Sequence, residues 1–136
     1  MPAIRQRTAR AAAATAPLVL DSSCWLEFLM DTPRADAFAA PILVPEALVV
    51  PVVTIYEVFK KISREMNQEV ASYAVSLMRR GQVVELDLQL CLDAATNGLP
   101  FADSLIYATA QSRDAILWTQ DAHFDGLPGV QYFSKS

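Results

Sequence analysis

Short apolar runs rich in β-branched residues alternate along this chain with longer segments patterned for helix, and few architectures accept that rhythm. The runs are P-L-V-L-D at 17–21, L-V-V-P-V-V-T at 48–54, Q-V-V-E-L at 82–86, A-I-L-W-T at 115–119 and V-Q-Y-F at 130–133. Runs this short and this uniformly apolar suit strands covered on both faces, as in a parallel sheet. Between them, Ser22 or Ser23 is placed to cap a helix carrying Trp25, Leu26, Phe28 and Leu29, which Thr32-Pro33 ends. Further helices are expected over 35–40, from Ile55 through Ile62, over 68–80 with Val70, Tyr73, Ala74, Leu77 and Met78 on one face, over 88–96, and from Pro100 to Ser112. Gly81 and Asn97-Gly98 serve as stops. Pro51 inside the second run removes a ladder bond, which suggests a bulge or an edge position. The expected fold is α/β, a three-layer α/β/α sandwich around a central parallel sheet.

The 136 residues suit one domain, expected over 17–136. Residues 1–16 hold three arginines, many alanines and no acid, and read as a flexible N-terminal arm. Their basic start resembles a targeting peptide, but the apolar stretch that follows makes a first strand ending in an acid. No apolar run reaches the roughly 18 residues of a membrane helix. Cys24 and Cys91 form no C-x-x-C pair, and the lone His123 offers no metal-finger spacing. Both cysteines read as core residues of a reduced, cytoplasmic protein. The net charge of −4 weighs against nucleic-acid binding by charge alone, so any such role needs a local basic patch or a bound cation.

Ligands of open parallel sheets bind at the carboxyl ends of the strands. Asp21 closes the first run, and Asp121 follows the fourth by two residues. Glu57 is expected in the first turn of the helix after the second run, and Asp103 in the first turn of the helix that Pro100 opens. Each acid alone has a plain role: Asp21 as a helix cap, Glu57 and Asp103 as complements to helix dipoles, Asp121 in an Asx-turn. Asp21, Glu57 and Asp121 fall on one rim, and Asp103 needs the chain path to bring it there; four carboxylates so gathered repel by several kcal/mol at about 4 Å in a partly buried site. Protonation or a cation must relieve that repulsion. All-oxygen ligands favour Mg2+ or Mn2+, which can activate water toward a phosphodiester.

L-D-S-S at 20–23, T-I-Y-E-V at 54–58, L-P-F-A-D-S-L-I-Y-A-T-A at 99–110 and W-T-Q-D-A-H-F at 118–124 resemble, in order and spacing, the four motifs of VapC-like PIN domains. The resemblance extends from about residue 17 to the last residue. It implies a Mg2+- or Mn2+-dependent endoribonuclease whose metal-holding and catalytic quartet is Asp21, Glu57, Asp103 and Asp121. Ser23 and Thr119 match the family's supporting hydroxyls, whose plain alternatives are helix capping and strand packing. Asp125 is either an extra acid or a surface turn residue. The resemblance also implies a homodimer, an RNA substrate and a cognate antitoxin of a type II toxin–antitoxin system. Trp25, Phe28, Leu29 and Phe59 are either core or an apolar groove for that antitoxin.

Lys60, Lys61 and Arg64 follow Glu57 at three, four and seven residues, roughly on its side of the helix, where they either meet RNA phosphates or form a solvated basic face. A response-regulator receiver fails for want of paired acids at Ser22-Ser23. A haloacid-type phosphatase fails at Ser23, and an adhesion-type metal site at Trp25. A cysteine hydrolase built on Cys24 and His123 has no specific spacing behind it. The alternatives that keep the fold are a housekeeping RNA-processing nuclease without an antitoxin, and a non-catalytic binding module.

Overall fold

The computed structural model describes residues 16–135. The arm expected over 1–16 therefore lies outside the described residues except for Ala16. Five parallel strands form one sheet in the order β3-β2-β1-β4-β5. They are β1 (Leu18–Leu20), β2 (Leu48–Pro51), β3 (Gln82–Val84), β4 (Ile116–Thr119) and β5 (Val130–Tyr132). The helices are α1 (Ser22–Leu29), α2 (Asp36–Leu43), α3 (Val52–Glu65), α4 (Gln68–Met78), α5 (Leu88–Ala95) and α6 (Phe101–Ser112). Short 3-10 turns occupy Pro45–Ala47 and Ala122–Phe124.

The two faces of the sheet divide the core by strand parity. Val19, Val49, Val84 and Leu117 point to the side covered by α5 and α6, where Leu90, Ala94, Leu105, Ile106 and Phe124 are buried with them. Leu18, Leu20, Leu48 and Val50 point to the other side, against Trp25 and Cys24 of α1, Phe38 and Ile42 of α2, Val58 and Ile62 of α3, and Ala71, Ala74 and Met78 of α4. Successive strand side chains alternate between faces, so each apolar run feeds both layers. This is the expected α/β/α sandwich.

Several local expectations are corrected. The second run is strand only to Pro51, and the helix begins at Val52. Pro51 makes neither a bulge nor an edge: β2 lies between β1 and β3, and Pro51 ends it, opposite Val84, while serving as the N-cap of α3. A proline is tolerated there because its fixed φ suits a helix start and the strand ladder ends with it. Helix α4 stops at Met78, and its buried face carries Ala71, Ala74 and Met78, with Tyr73 turned outward. Cys91 is exposed, whereas Cys24 is core as expected.

Gly81 does not cap α4 with a left-handed backbone, since its φ is not positive. It is required for space: a Cβ there would sit 2.9 Å from the Leu48 carbonyl oxygen and 3.0 Å from Val50 Cγ2. Gly81→Ala is expected to cost about 1–3 kcal/mol by pushing β3 off β2. Chemical denaturation would register this as a lower midpoint with an unchanged slope, and an unshifted midpoint would remove the packing explanation.

Candidate metal centre

The strand order reverses between β1 and β4, which are adjacent in space but far apart in sequence. A crevice opens at the carboxyl ends of strands at such a point. Asp21 sits there. Its backbone N–H donates to the Trp118 carbonyl at 2.9 Å, so the β1–β4 ladder carries it to the rim. Its side chain caps α1, accepting the Ser22 N–H at Oδ1 at 2.8 Å. Oδ2 accepts the Thr119 hydroxyl at 2.8 Å and faces Ser23 Oγ at 3.5 Å. The capping role and the site role therefore coexist in one carboxylate.

Thr119 joins two of the acids. While its hydroxyl donates to Asp21, the same oxygen accepts the Asp121 N–H at 2.9 Å. Asp121 in turn accepts the His123 N–H at 2.9 Å, closing the 3-10 turn at Ala122–Phe124. Asp103, in the first turn of α6, lies opposite: His123 Nδ1 is 3.7 Å from Asp103 Oδ2 and 3.2 Å from Asp121 Oδ1. Glu57 reaches the cleft from α3, in its second turn rather than the first, because the helix begins three residues earlier than expected. That removes the helix dipole as its main explanation, since the dipole acts within the first turn.

All four acids line one open cleft of about 410 Å3, with Ser22, Ser23, Gln120 and Lys135. A larger apolar groove of about 690 Å3 runs along α3 and α4, but no acid lines it. Carboxylate chemistry, rather than size, identifies the site.

The cleft is electrostatically strained. Burial raises the pKa of Asp21, and the neighbouring Asp121 adds to the shift against the bonds from Thr119, Ser22 and Ser23. Burial also raises Glu57, helped by Asp21 and opposed by Ser22 and Lys60. Asp103 is pushed up to about 6, first by burial and then by Asp21, Asp121 and Glu57, with His123 pulling it back. Glu57 Oε1 is buried without a hydrogen-bond partner. Such an oxygen among three other acids fits a cation, which would satisfy it and offset the repulsion. The ligand atoms of Asp103, Asp121 and His123 lie within 4.8 Å of one another, close enough to share an ion.

His123 was not expected to join the acids: the sequence offered no metal-finger spacing for it and otherwise only a pairing with Cys24. Its position two residues after Asp121 on a tight turn was the available signal. The cysteine hydrolase itself fails on geometry: Cys24 is fully buried, its thiol faces the Trp118 carbonyl at 3.4 Å, and burial drives its pKa far above the ordinary thiol range.

The basic residues after Glu57 share its helix but do not line the cleft. Lys61 pairs with Glu65 at 2.8 Å, and Lys60 lies over the Tyr56 ring. Lys60 and Arg64 border the apolar groove instead. Asp125 is an exposed turn residue outside the cleft. Trp25 is core; Phe28, Leu29 and Phe59 are half-buried against it, and Phe59 also lines the apolar groove.

Thr119→Val would keep the shape of this fully buried side chain but remove the bond to Asp21 and leave the Asp121 N–H without its acceptor. The expected loss is about 1–3 kcal/mol of stability, with weakened Mn2+ binding by calorimetry. Unchanged Mn2+ affinity would make Thr119 a packing residue only.

The PIN domain family model matches residues 18–130. No curated protein matches the chain. Among solved structures, a toxin–antitoxin complex from Klebsiella pneumoniae is similar at 18% identity and a TM-score of 0.68, covering 86% of this chain and 98% of that one. DNA-bound VapBC from Salmonella typhimurium is similar at 18% identity and a TM-score of 0.67, covering 88% and 98%. VapC20 from Mycobacterium tuberculosis, a toxin that cleaves the sarcin–ricin loop, is similar at 13% identity and a TM-score of 0.64, covering 79% and 91%. At these identities the likeness is one of fold.

Proposed function

This chain belongs to the PIN domain family, and from that membership and the acidic cleft we propose that it is a metal-dependent endoribonuclease, acting as the toxin of a VapBC-type pair. Asp21, Glu57, Asp103 and Asp121 are the metal-holding and catalytic residues of this reading, with Ser23 and Thr119 in support. Residues 17–136 are its single nuclease domain. The observation that carries it is Glu57 Oε1, buried without a hydrogen-bond partner beside three other carboxylates. Four acids converging without a cation would be a liability for folding.

The quartet would hold Mg2+ or Mn2+, both of which take carboxylate oxygens. When bound, such an ion supplies charge neutralisation for a phosphodiester and makes water more acidic. The chain's own residues do the rest. Thr119, Ser22 and Ser23 fix Asp21 in one orientation, so the cleft needs little rearrangement when a ligand arrives. Asp103, whose pKa in the metal-free cleft is raised first by burial and then by the other three acids, would give up its proton on holding the cation.

An antitoxin partner is supported by the similarity to toxin–antitoxin complexes. The apolar groove along α3 and α4, with Ile55, Tyr56 and Phe59 on its wall, is a surface on which such a partner could dock. A homodimer is likewise part of this reading.

The test is incubation of the purified protein with total RNA and Mn2+ or Mg2+, beside an EDTA control, with Mn2+ binding followed by calorimetry. The expected result is cleavage that requires the cation. A protein that binds no Mn2+ and leaves all RNA intact is not a nuclease, and the binding-module alternative then replaces this reading.

A further inference from the structure

The acidic cleft has a cationic edge that the quartet does not use. Lys135 lines the cleft, yet its ammonium forms no ion pair with a carboxylate among the described residues. Its segment is firmly tied down. The Phe133 N–H donates to the Thr119 carbonyl at 2.8 Å, and the Phe133 ring packs against Trp118 and Phe38 with centroids 5.1 and 5.2 Å away. One residue before Lys135, the Ser134 carbonyl accepts from Arg34 Nη2 at 2.9 Å. Arg34 is itself held by Glu27 at 3.1 Å and by a hydrogen bond to Gln120 Oε1. One guanidinium thus clamps three places together: the end of α1, the end of β4 and the tail that carries Lys135.

Gln120 anchors the clamp: it is only 5% exposed, its Oε1 accepts from Arg34, and its Nε2 is sealed from solvent without an acceptor. The amide cannot be flipped to relieve this. A guanidinium offers only donors, so the oxygen must face Arg34 and the NH2 must face the other way. Lys135 thus brings to the cleft an ammonium that no carboxylate among the described residues holds in an ion pair, open to an acceptor carried by a ligand. The backbone phosphate of a nucleic acid carries such acceptors.

We propose that Lys135, positioned by the Arg34 clamp, forms a phosphate-binding edge that seats the RNA backbone beside the acidic quartet. The proposal rests on the nuclease reading and names a positioning residue within it. It also explains how a chain of net charge −4 can take an anionic polymer into an acidic cleft: the cation-binding centre and the phosphate-binding edge are side by side.

The test measures binding of a short fluorescein-labelled single-stranded RNA by anisotropy across a salt series, with Ca2+ replacing Mn2+ to suppress cleavage, for wild type, K135Q and K135R. K135Q is expected to bind on the order of tenfold more weakly at low salt. Its plot of log affinity against log salt should be shallower by about 0.7, the loss of one phosphate contact to a single strand. K135R should restore most of both, and Mn2+ affinity should stay the same in all three. K135Q that matches wild type in affinity and slope overturns the proposal. So does K135Q with tighter Mn2+ binding and unchanged RNA binding, which would make Lys135 an internal counter-ion of the acids. If wild type cleaves RNA while K135Q behaves normally, only this proposal falls. If wild type binds Mn2+ but no RNA, the nuclease reading falls with it.

Discussion

Asp21→Asn is expected to lower cation-dependent RNA cleavage by roughly 100-fold or more while leaving the protein folded. Asp21 is the most deeply placed of the four acids, at 4% exposure, and touches Thr119, Ser22 and Ser23. Asparagine has nearly the same shape but brings no charge and only one acceptor oxygen. If that oxygen faces Thr119, the amide NH2 faces the Ser22 N–H and the helix cap is weakened, at a cost of about 1 kcal/mol. Against this, a buried charge whose pKa is raised by desolvation and by Asp121 disappears. The two effects oppose each other, so the metal-free variant should melt within a few degrees of wild type. Cation linkage should separate the two proteins. Wild type at 100 times its Kd for Mn2+ gains about 2.7 kcal/mol, and the variant gains little. Thermal melts with and without Mn2+, run beside a cleavage assay, read both quantities. A variant that retains a tenth or more of wild-type cleavage would take Asp21 out of the centre.

The second large effect is a reversal of the pH dependence of stability on metal loading. Asp103 has its pKa raised from 3.8 to about 6, and Asp21 and Glu57 are shifted in the same direction. A carboxyl whose folded-state pKa exceeds its unfolded one binds more protons when folded. It therefore stabilises the fold below the unfolded pKa, and that contribution is lost as pH rises. For Asp103 the loss falls between about 4 and 6 and is complete above. The metal-free protein should thus lose several degrees of Tm, relative to Asp103→Asn, across that window. With saturating Mn2+ the sign changes, because ligand carboxyls must be deprotonated and affinity rises with pH. Differential scanning at pH 4 to 8, for both proteins with and without Mn2+, gives the four curves needed. Parallel curves for wild type and Asp103→Asn without metal would show that burial and the neighbouring acids do not raise the pKa of Asp103.

The architecture was readable because strand and helix periods differ. Runs such as L-V-L and I-L-W cannot form an exposed helix, and their spacing leaves room for a helix between most of them. Boundaries were less readable at Pro51. V-V-T after it carries strand propensity, yet the proline ends the ladder and Val52 starts α3. Tertiary context overrode propensity there, and the shift moved Glu57 into the second turn. Gly81 was recognised as a break, but its reason, contact with the Leu48 carbonyl, belongs to a strand more than thirty residues away.

The sequence by itself determined the strand–helix alternation and the rim positions of Asp21 and Asp121, because both follow from local pattern and from where an apolar run stops. It also presented Asp103 and Glu57 as helix acids. The tertiary structure decided that all four share one cleft, since that depends on β4 pairing with β1 across nearly a hundred residues. It likewise decided the contacts of Thr119 with two acids, the approach of His123, and the Arg34 clamp that carries Lys135 to the cleft. None of these contacts has a periodicity to announce it. They exist because residues distant along the chain are held at the ends of neighbouring strands, where the folded backbone brings their side chains together.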